Sequence, residues 1–225
     1  MEVAPPTSVA TRARRRRGRS SRRHAAIGTA AHLRRLLGAD WTVELFARNG
    51  STMADVPAQL GRLPEPTDCA VLSVGGNDAL EHVGLLSRPA SSAAEVLAEL
   101  GRIAETFARE YDRLLAMLAP RVRRAILCTI YEPPLHEPNA ARLARVPLSL
   151  LNDRIVRCAA SRVLEVIDLR AVCTEAEDFV EQIEPSPAGA EKIARAIARV
   201  VRGDPGVGAT RLYGTPPDGS PRWAG

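Results

Sequence analysis

Residues 69–76, CAVLSVGG, are an uninterrupted apolar run that halts on two glycines. A strand with one wet face alternates apolar and polar residues, whereas a continuous run suits a strand covered on both faces. Such strands belong to parallel sheets with helices above and below. The flanking sequence agrees. TVELFAR (42–48), RAILCTIY (124–131) and VLEVIDL (163–169) read as further strands. Helices are predicted over 51–63, entered through Ser51 or Thr52, then over 92–118, 147–160 and 187–201. In the second of these, Val96, Leu100, Ile103, Phe107, Tyr111, Leu114 and Leu118 recur every three or four residues. The last carries Pro187 at its first position. Strands alternating with helices imply right-handed crossovers and a three-layer α/β/α domain with a flavodoxin-like parallel sheet.

One element is missing from that pattern. A fold of this kind opens on an apolar strand, and residues 1–31 supply none: MEVAPPTSVA is broken by prolines, and RARRRRGRSSRR (12–23) cannot be buried. The first strand is therefore missing or aberrant. The expected organisation is an Arg-rich aberrant or disordered segment over 1–31, an α/β domain over 32–203, and a disordered Pro/Gly-rich tail over 204–225. Two readings of the first segment stand. Lys192 is the only lysine beside thirty arginines, which suggests a GC-rich gene, where glycine codons read out of register become arginine codons; residues 1 to about 30 would then be frame-displaced. Alternatively the run is a genuine solvated tail that binds anionic partners.

Charge confines the nucleic-acid reading to that tail. Eight arginines in 12–23 against Glu2 give +7, and since the whole chain carries +5, the remainder is −2. The body offers no basic face, so nucleic acid is a partner only non-specifically, through the arginines. Four widely spaced cysteines, Cys69, Cys128, Cys158 and Cys173, contain no C-x-x-C pair. They fit a reducing cytoplasm better than a zinc site or a disulfide framework. No apolar run approaches the roughly 20 residues that span a bilayer, and HAAIGTAA is too short and interrupted for a secretory signal. The sequence carries no signal for an oligomeric state.

In open parallel sheets, functional groups gather at the carboxyl ends of the strands. Three such ends are polar here: RNGST (48–52), GGNDA (75–79) and EQIEPSPAG (181–189). From about residue 32 to 202 these blocks resemble the SGNH, or GDSL-type, hydrolases. GGND looks like that family's Gly-x-Asn-Asp block, RNGST its glycine block, and IEPSPAGAEKIA its terminal block. The resemblance implies attack of a serine on a small-molecule ester or acyl carbonyl, with no metal or organic cofactor and no membrane. It makes Gly50 the oxyanion-hole glycine and Asn77 the oxyanion-hole asparagine. A backbone N–H approaches a carbonyl closely only where no Cβ intrudes, and an uncharged amide donor stabilises a developing O⁻ without a competing proton equilibrium. The acyl pocket is expected from loops 82–92 and 132–147.

Two departures concern the catalytic residues. Glu184 stands where the terminal block's histidine belongs, and Glu181 where its aspartate belongs. Glu184 is then a base tuned by burial, a polar anchor, or a relic. His82, five residues past Asn77, is an alternative base with the right intrinsic pKa, or simply a partly exposed helix residue. His136 is a weaker candidate, and His24 and His32 lie in or near the anomalous N-terminus. Asp168 either orients a histidine or caps a turn, and Asp78 is expected as a cap. The second departure is that Gly-Asp-Ser is absent: Ser8, Ser20 and Ser21 follow no apolar strand, and Ser51 reads as a helix start. Besides an SGNH hydrolase acting on an ester-type bond, two rivals remain: a non-catalytic relative that binds a ligand, and a nucleic-acid-associated protein acting through 12–23.

Overall fold

Along the central strands, neighbouring residues face opposite ways and both faces are apolar. In the computed structural model, residues 28–65, 67–181 and 183–203 are described, together with the backbone of 11–12. The calls on 1–10, 13–27 and 204–225, including His24, Ser8, Ser20 and Ser21, lie outside the described residues.

Seven strands and six α-helices are named in chain order: β1 Thr11–Arg12, α1 Thr29–Leu37, β2 Glu44–Leu45, α2 Val56–Leu60, β3 Thr67–Leu72, α3 Gly76–Leu80, α4 Ala93–Leu118, β4 Val122–Cys128, α5 Pro138–Ser161, β5 Glu165–Ile167, β6 Phe179–Val180, β7 Glu184–Pro185 and α6 Pro187–Arg202. Strands β3, β4 and β5 pair in parallel in that order, with Val71 opposite Ile126 and Cys128 opposite Ile167. Ala70 and Leu72 of β3, with Leu127 of β4, join a core formed with Leu60, Phe107, Tyr111 and Ile155, the layer of α2, α4 and α5. Cys69, Val71, Ile126, Cys128 and Ile167 face the other way, onto Leu33, Ile193 and Ile197 of α1 and α6. Period-two alternation between two separate cores is the signature of three layers.

Three expectations need correction. The run 42–48 pairs only at Glu44–Leu45, antiparallel to Thr11–Arg12, and so stands outside the parallel sheet. Val43 and Phe46 bury into opposite cores, which anchors the segment without a longer ladder. The short β1 is also a strand where none was expected, although a two-residue polar pairing is no substitute for an apolar central strand. The helix expected over 147–160 is α5, which begins at Pro138 and runs through Pro147. The Glu137 carboxylate accepts the Asn139 and Ala140 N–H groups and Pro138 opens the helix, so the start signals lie nine residues upstream of the expected boundary. α1 starts at Thr29.

Elsewhere the local chemistry matches the elements. Ser92 caps α4 by accepting the Glu95 N–H, and Ser186 caps α6 by accepting the Gly189 N–H. All four cysteines are buried and free, and burial pushes the Cys69 and Cys128 thiols up to about 11 and about 12.

Candidate active site

The turn after β3 positions Asn77. Gly75 has φ +116°, and a Cβ there would lie 2.8 Å from the Phe107 ring. Glycine is therefore required twice over, for the left-handed backbone and for the close approach. The chain reverses sharply and enters α3 with Asn77 on its first turn, 5% exposed. Asn77 Nδ2 donates to the Ser51 carbonyl at 2.7 Å, while its buried Oδ1 has no partner among the described residues. An amide nitrogen carries two N–H groups, so one of them remains for a ligand. A flipped amide would set Oδ1 against the Ser51 oxygen, which fixes the orientation.

The 48–52 block meets Asn77 from the other side. Gly50 is exposed with φ +77°, and nothing lies within 4 Å of where its Cβ would be. Ser51 is buried, and its Oγ accepts from Gln59 Nε2 at 3.0 Å. The helix start falls instead to Thr52, which forms a reciprocal cap with Asp55 before the turn Met53–Asp55. Asp78 does act as a cap, though not for its own segment: Oδ1 accepts the Met53 N–H at 3.0 Å. Burial raises the Asp78 pKa, and the Met53 N–H works against that. Two strand-end blocks 25 residues apart are thus tied by Asn77 to Ser51 and by Asp78 to Met53.

Glu184 sits in β7, which pairs antiparallel with β6. Its Oε1 is buried without a partner among the described residues, and burial, then the Glu181 charge, raises its pKa. Tyr131, three residues past β4, donates its hydroxyl to the Ile183 carbonyl at 2.7 Å and packs edge-on against Phe179. This fastens the β6–β7 pair to the sheet edge. Asp178 braces the same segment: it is 1% exposed, paired to Lys192 Nζ at 2.7 Å, and its carbonyl accepts the Ser186 N–H.

A cavity of about 120 Å³ is lined by the residues that precede Asn77 and Glu184 in the chain, Gly76 and Ile183. His82 and Tyr131 line it as well, so chain neighbours of Asn77 and of Glu184 share one space. Both expected segments contribute, through Val83 and Leu86 and through Pro133 and Pro147; residues 138–147 of the second are helical. His82 is exposed at the start of the turn Val83–Ser87. His136 is also exposed, and His32 is buried in α1 with Arg35 3.2 Å from its Nδ1. Asp168 caps the turn Leu169–Ala171 and binds Arg170 and Thr129. The Arg170 hydrogen bonds hold its carboxyl below the usual range, and burial opposes them.

Sequence reasoning missed Tyr131 and Asn152. The fully buried Asn152 clasps Ile130 through both backbone atoms, accepting its N–H at 2.7 Å and donating to its carbonyl at 2.8 Å. The signal for Tyr131 was its place at a strand's carboxyl end; Asn152 lies mid-helix and gave none. Among the described residues, no three His, Cys, Asp or Glu side chains gather as metal ligands, and no helix is long and apolar enough to cross a membrane.

Comparison with known proteins places this geometry. Residues 12–192 match the GDSL-like Lipase/Acylhydrolase family. The fold resembles the native aryl esterase of M. smegmatis, at TM-score 0.59 and 16% identity over 83% of this chain and 90% of that one. It also resembles LAE5, described as an alpha/beta hydrolase enzyme from the metagenome of Lake Arreo, Spain, at TM-score 0.56 and 24% identity over 79% and 82%. A third similar structure is Axe2, an acetylxylan esterase from Geobacillus stearothermophilus, at TM-score 0.52 and 20% identity over 76% and 80%. No curated protein matches the chain.

Proposed function

The chain belongs to the GDSL-like lipase/acylhydrolase family, hydrolases of ester-type bonds, and we propose that Asn77 and Gly50 form the part of its site that grips the carbonyl oxygen of a small ester or acyl ligand. One observation carries this reading: the Asn77 amide, buried and oriented, lies 2.7 Å from the carbonyl of Ser51, the residue that follows Gly50. Preorganised neutral donors of this kind stabilise a tetrahedral oxyanion without reorganising during the reaction. Glu184 is the first choice for the base. Its raised pKa moves it toward the range in which a carboxylate accepts a proton at neutral pH. His82, at the cavity's exposed side, is the second.

The nucleophile is the open part of the site. Ser51 is committed to Gln59, and the Gly-Asp-Ser block is absent from the sequence. A second reading follows from that and from Glu184 at the histidine's place: a non-catalytic member that retains the carbonyl grip and binds its ligand without cleaving it. Turnover of short p-nitrophenyl esters by purified wild-type chain, against Asn77→Ala, separates the two. Hydrolysis lowered about 100-fold or more in the variant supports catalysis through Asn77. No hydrolysis, with ester binding weakened by the substitution, supports the binding reading. Hydrolysis or binding untouched by the substitution refutes the assignment of Asn77. The buried, free cysteines suit a reducing cytoplasm.

A further inference from the structure

The cavity beside Asn77 says which acyl group belongs there, an inference that rests on the carbonyl-gripping role proposed above. Its walls are hydrocarbon: Leu100 and Ile103 of α4, Leu148 and Leu151 of α5, and Ile130 after β4. Among the described residues, two lining side chains carry polar atoms. One is Tyr131, whose hydroxyl is turned away to the Ile183 carbonyl; the other is His82, which is exposed. The apolar character continues onto the surface, where Leu80, Val83 and Leu86 are 39%, 57% and 37% exposed and line the same cavity.

A sugar or a charged acyl group entering this space would lose its water and find no replacement hydrogen bonds. Water held inside needs two to four polar partners, and the Leu, Ile and Val walls supply none. An acetyl methyl would occupy only part of the 120 Å³. Unfilled space forfeits dispersion contacts along the whole lining.

We propose that the acyl group taken here is an uncharged hydrocarbon chain of several carbons, seated between α3 and α5 with its carbonyl at Asn77 and its far end toward Val83 and Leu86. Specificity then resides in Leu148, Ala144 and Val83, which set the depth and polarity of the slot.

Methyl n-alkyl ketones from 2-butanone to 2-octanone test this, because they present a carbonyl to Asn77 and an alkyl chain to the cavity without needing a nucleophile. Titrated into the full-length chain, they should bind about fourfold tighter per added methylene until the cavity is full. Ala144→Trp, from a half-buried position on α5, should abolish that increment. Val83→Asp, at an exposed position where folding is insensitive, should weaken the longest ketone about tenfold or more. Asn77→Ala should weaken every ketone by a common factor and leave the increment intact. Affinity that is flat along the series, or an increment unchanged in both Ala144→Trp and Val83→Asp, overturns the proposal. An intact increment with no effect of Asn77→Ala overturns the carbonyl grip and leaves the chain slot standing.

Discussion

The carboxylate of Asp78 accepts the backbone N–H of Met53 at 3.0 Å, so the residue next to Asn77 caps the turn that follows Ser51. This bond and the Asn77–Ser51 bond run between the same two segments. Together they tie the two segments at two adjacent points.

Asp78→Ala should therefore do two things. Losing a hydrogen bond from a partly buried carboxylate should destabilise the fold by about 1.5–3 kcal/mol, read as a lower urea midpoint at unchanged slope. Carbonyl-ligand affinity should also fall, although residue 78 touches no ligand. Asp78→Asn retains an acceptor and should recover most of both losses. An alanine variant with wild-type stability and binding would remove Asp78 from any positioning role.

Much of this fold is legible in the sequence. The continuous run of β3 announces burial on both faces, and the seven-residue apolar stripe of α4 resolves into a core face that includes Leu100, Phe107, Tyr111, Leu114 and Leu118. The start of α5 was missed despite the Glu137 and Pro138 signals, because its first ten residues contain no buried position and Leu143 and Val146 are exposed. The site is partly legible for a similar reason. Strand-end position singles out Asn77 and Gly50, but nothing local to Asp78 says that its partner lies 25 residues upstream, and a tertiary hydrogen bond leaves no periodic trace. Glu184 could be read as a departure from a family pattern, whereas its unpartnered Oε1 depends on how β6 and β7 fold back.

Glu184 makes a pH prediction of definite sign. Its pKa is raised in the folded chain, by burial first and by Glu181 second. A carboxyl whose folded pKa exceeds its unfolded value favours folding below the unfolded value, about 4.3, and that contribution is lost as pH rises through the folded value. Glu184→Gln, which never ionises, should equal wild type in stability at acid pH and exceed it at neutral pH. The gap opens across the window between the two pKa values. Urea midpoints at a series of pH values check this, and a gap that is largest in acid would contradict the burial of Glu184.

Asp178 behaves in the opposite sense. Burial pushes its carboxyl up, but Lys192 and the Glu175 and Thr174 N–H groups outweigh burial and hold it below the usual aspartate range. Its contribution is present above the unfolded value, about 3.9, and is lost as pH falls through the folded one. Lys192→Ala leaves a carboxylate that is 1% exposed without its cation. The loss at neutral pH should be smaller than for a fully buried pair, because the lysine side is 41% exposed. Lys192→Ala should lose its disadvantage in acid, where Asp178 protonates. A disadvantage that persists there unchanged would mean that the lysine acts by packing alone.

Gly75 gives the sharpest test of how the site is built. At φ +116°, with the Phe107 ring 2.8 Å from the place a Cβ would occupy, Gly75→Ala meets backbone strain and overpacking at once, about 2–4 kcal/mol together. Phe107→Leu removes the clash and not the strain, so in the double variant part of the stability lost through Gly75→Ala should return. Binding should not return with it, since the strained backbone directly precedes α3 and a shifted turn moves the Asn77 amide off the Ser51 carbonyl. Ketone affinity and urea midpoint measured on the two single variants and the double variant separate these effects. Full recovery of both in the double variant would show that the glycine serves only to make room for the Phe107 ring.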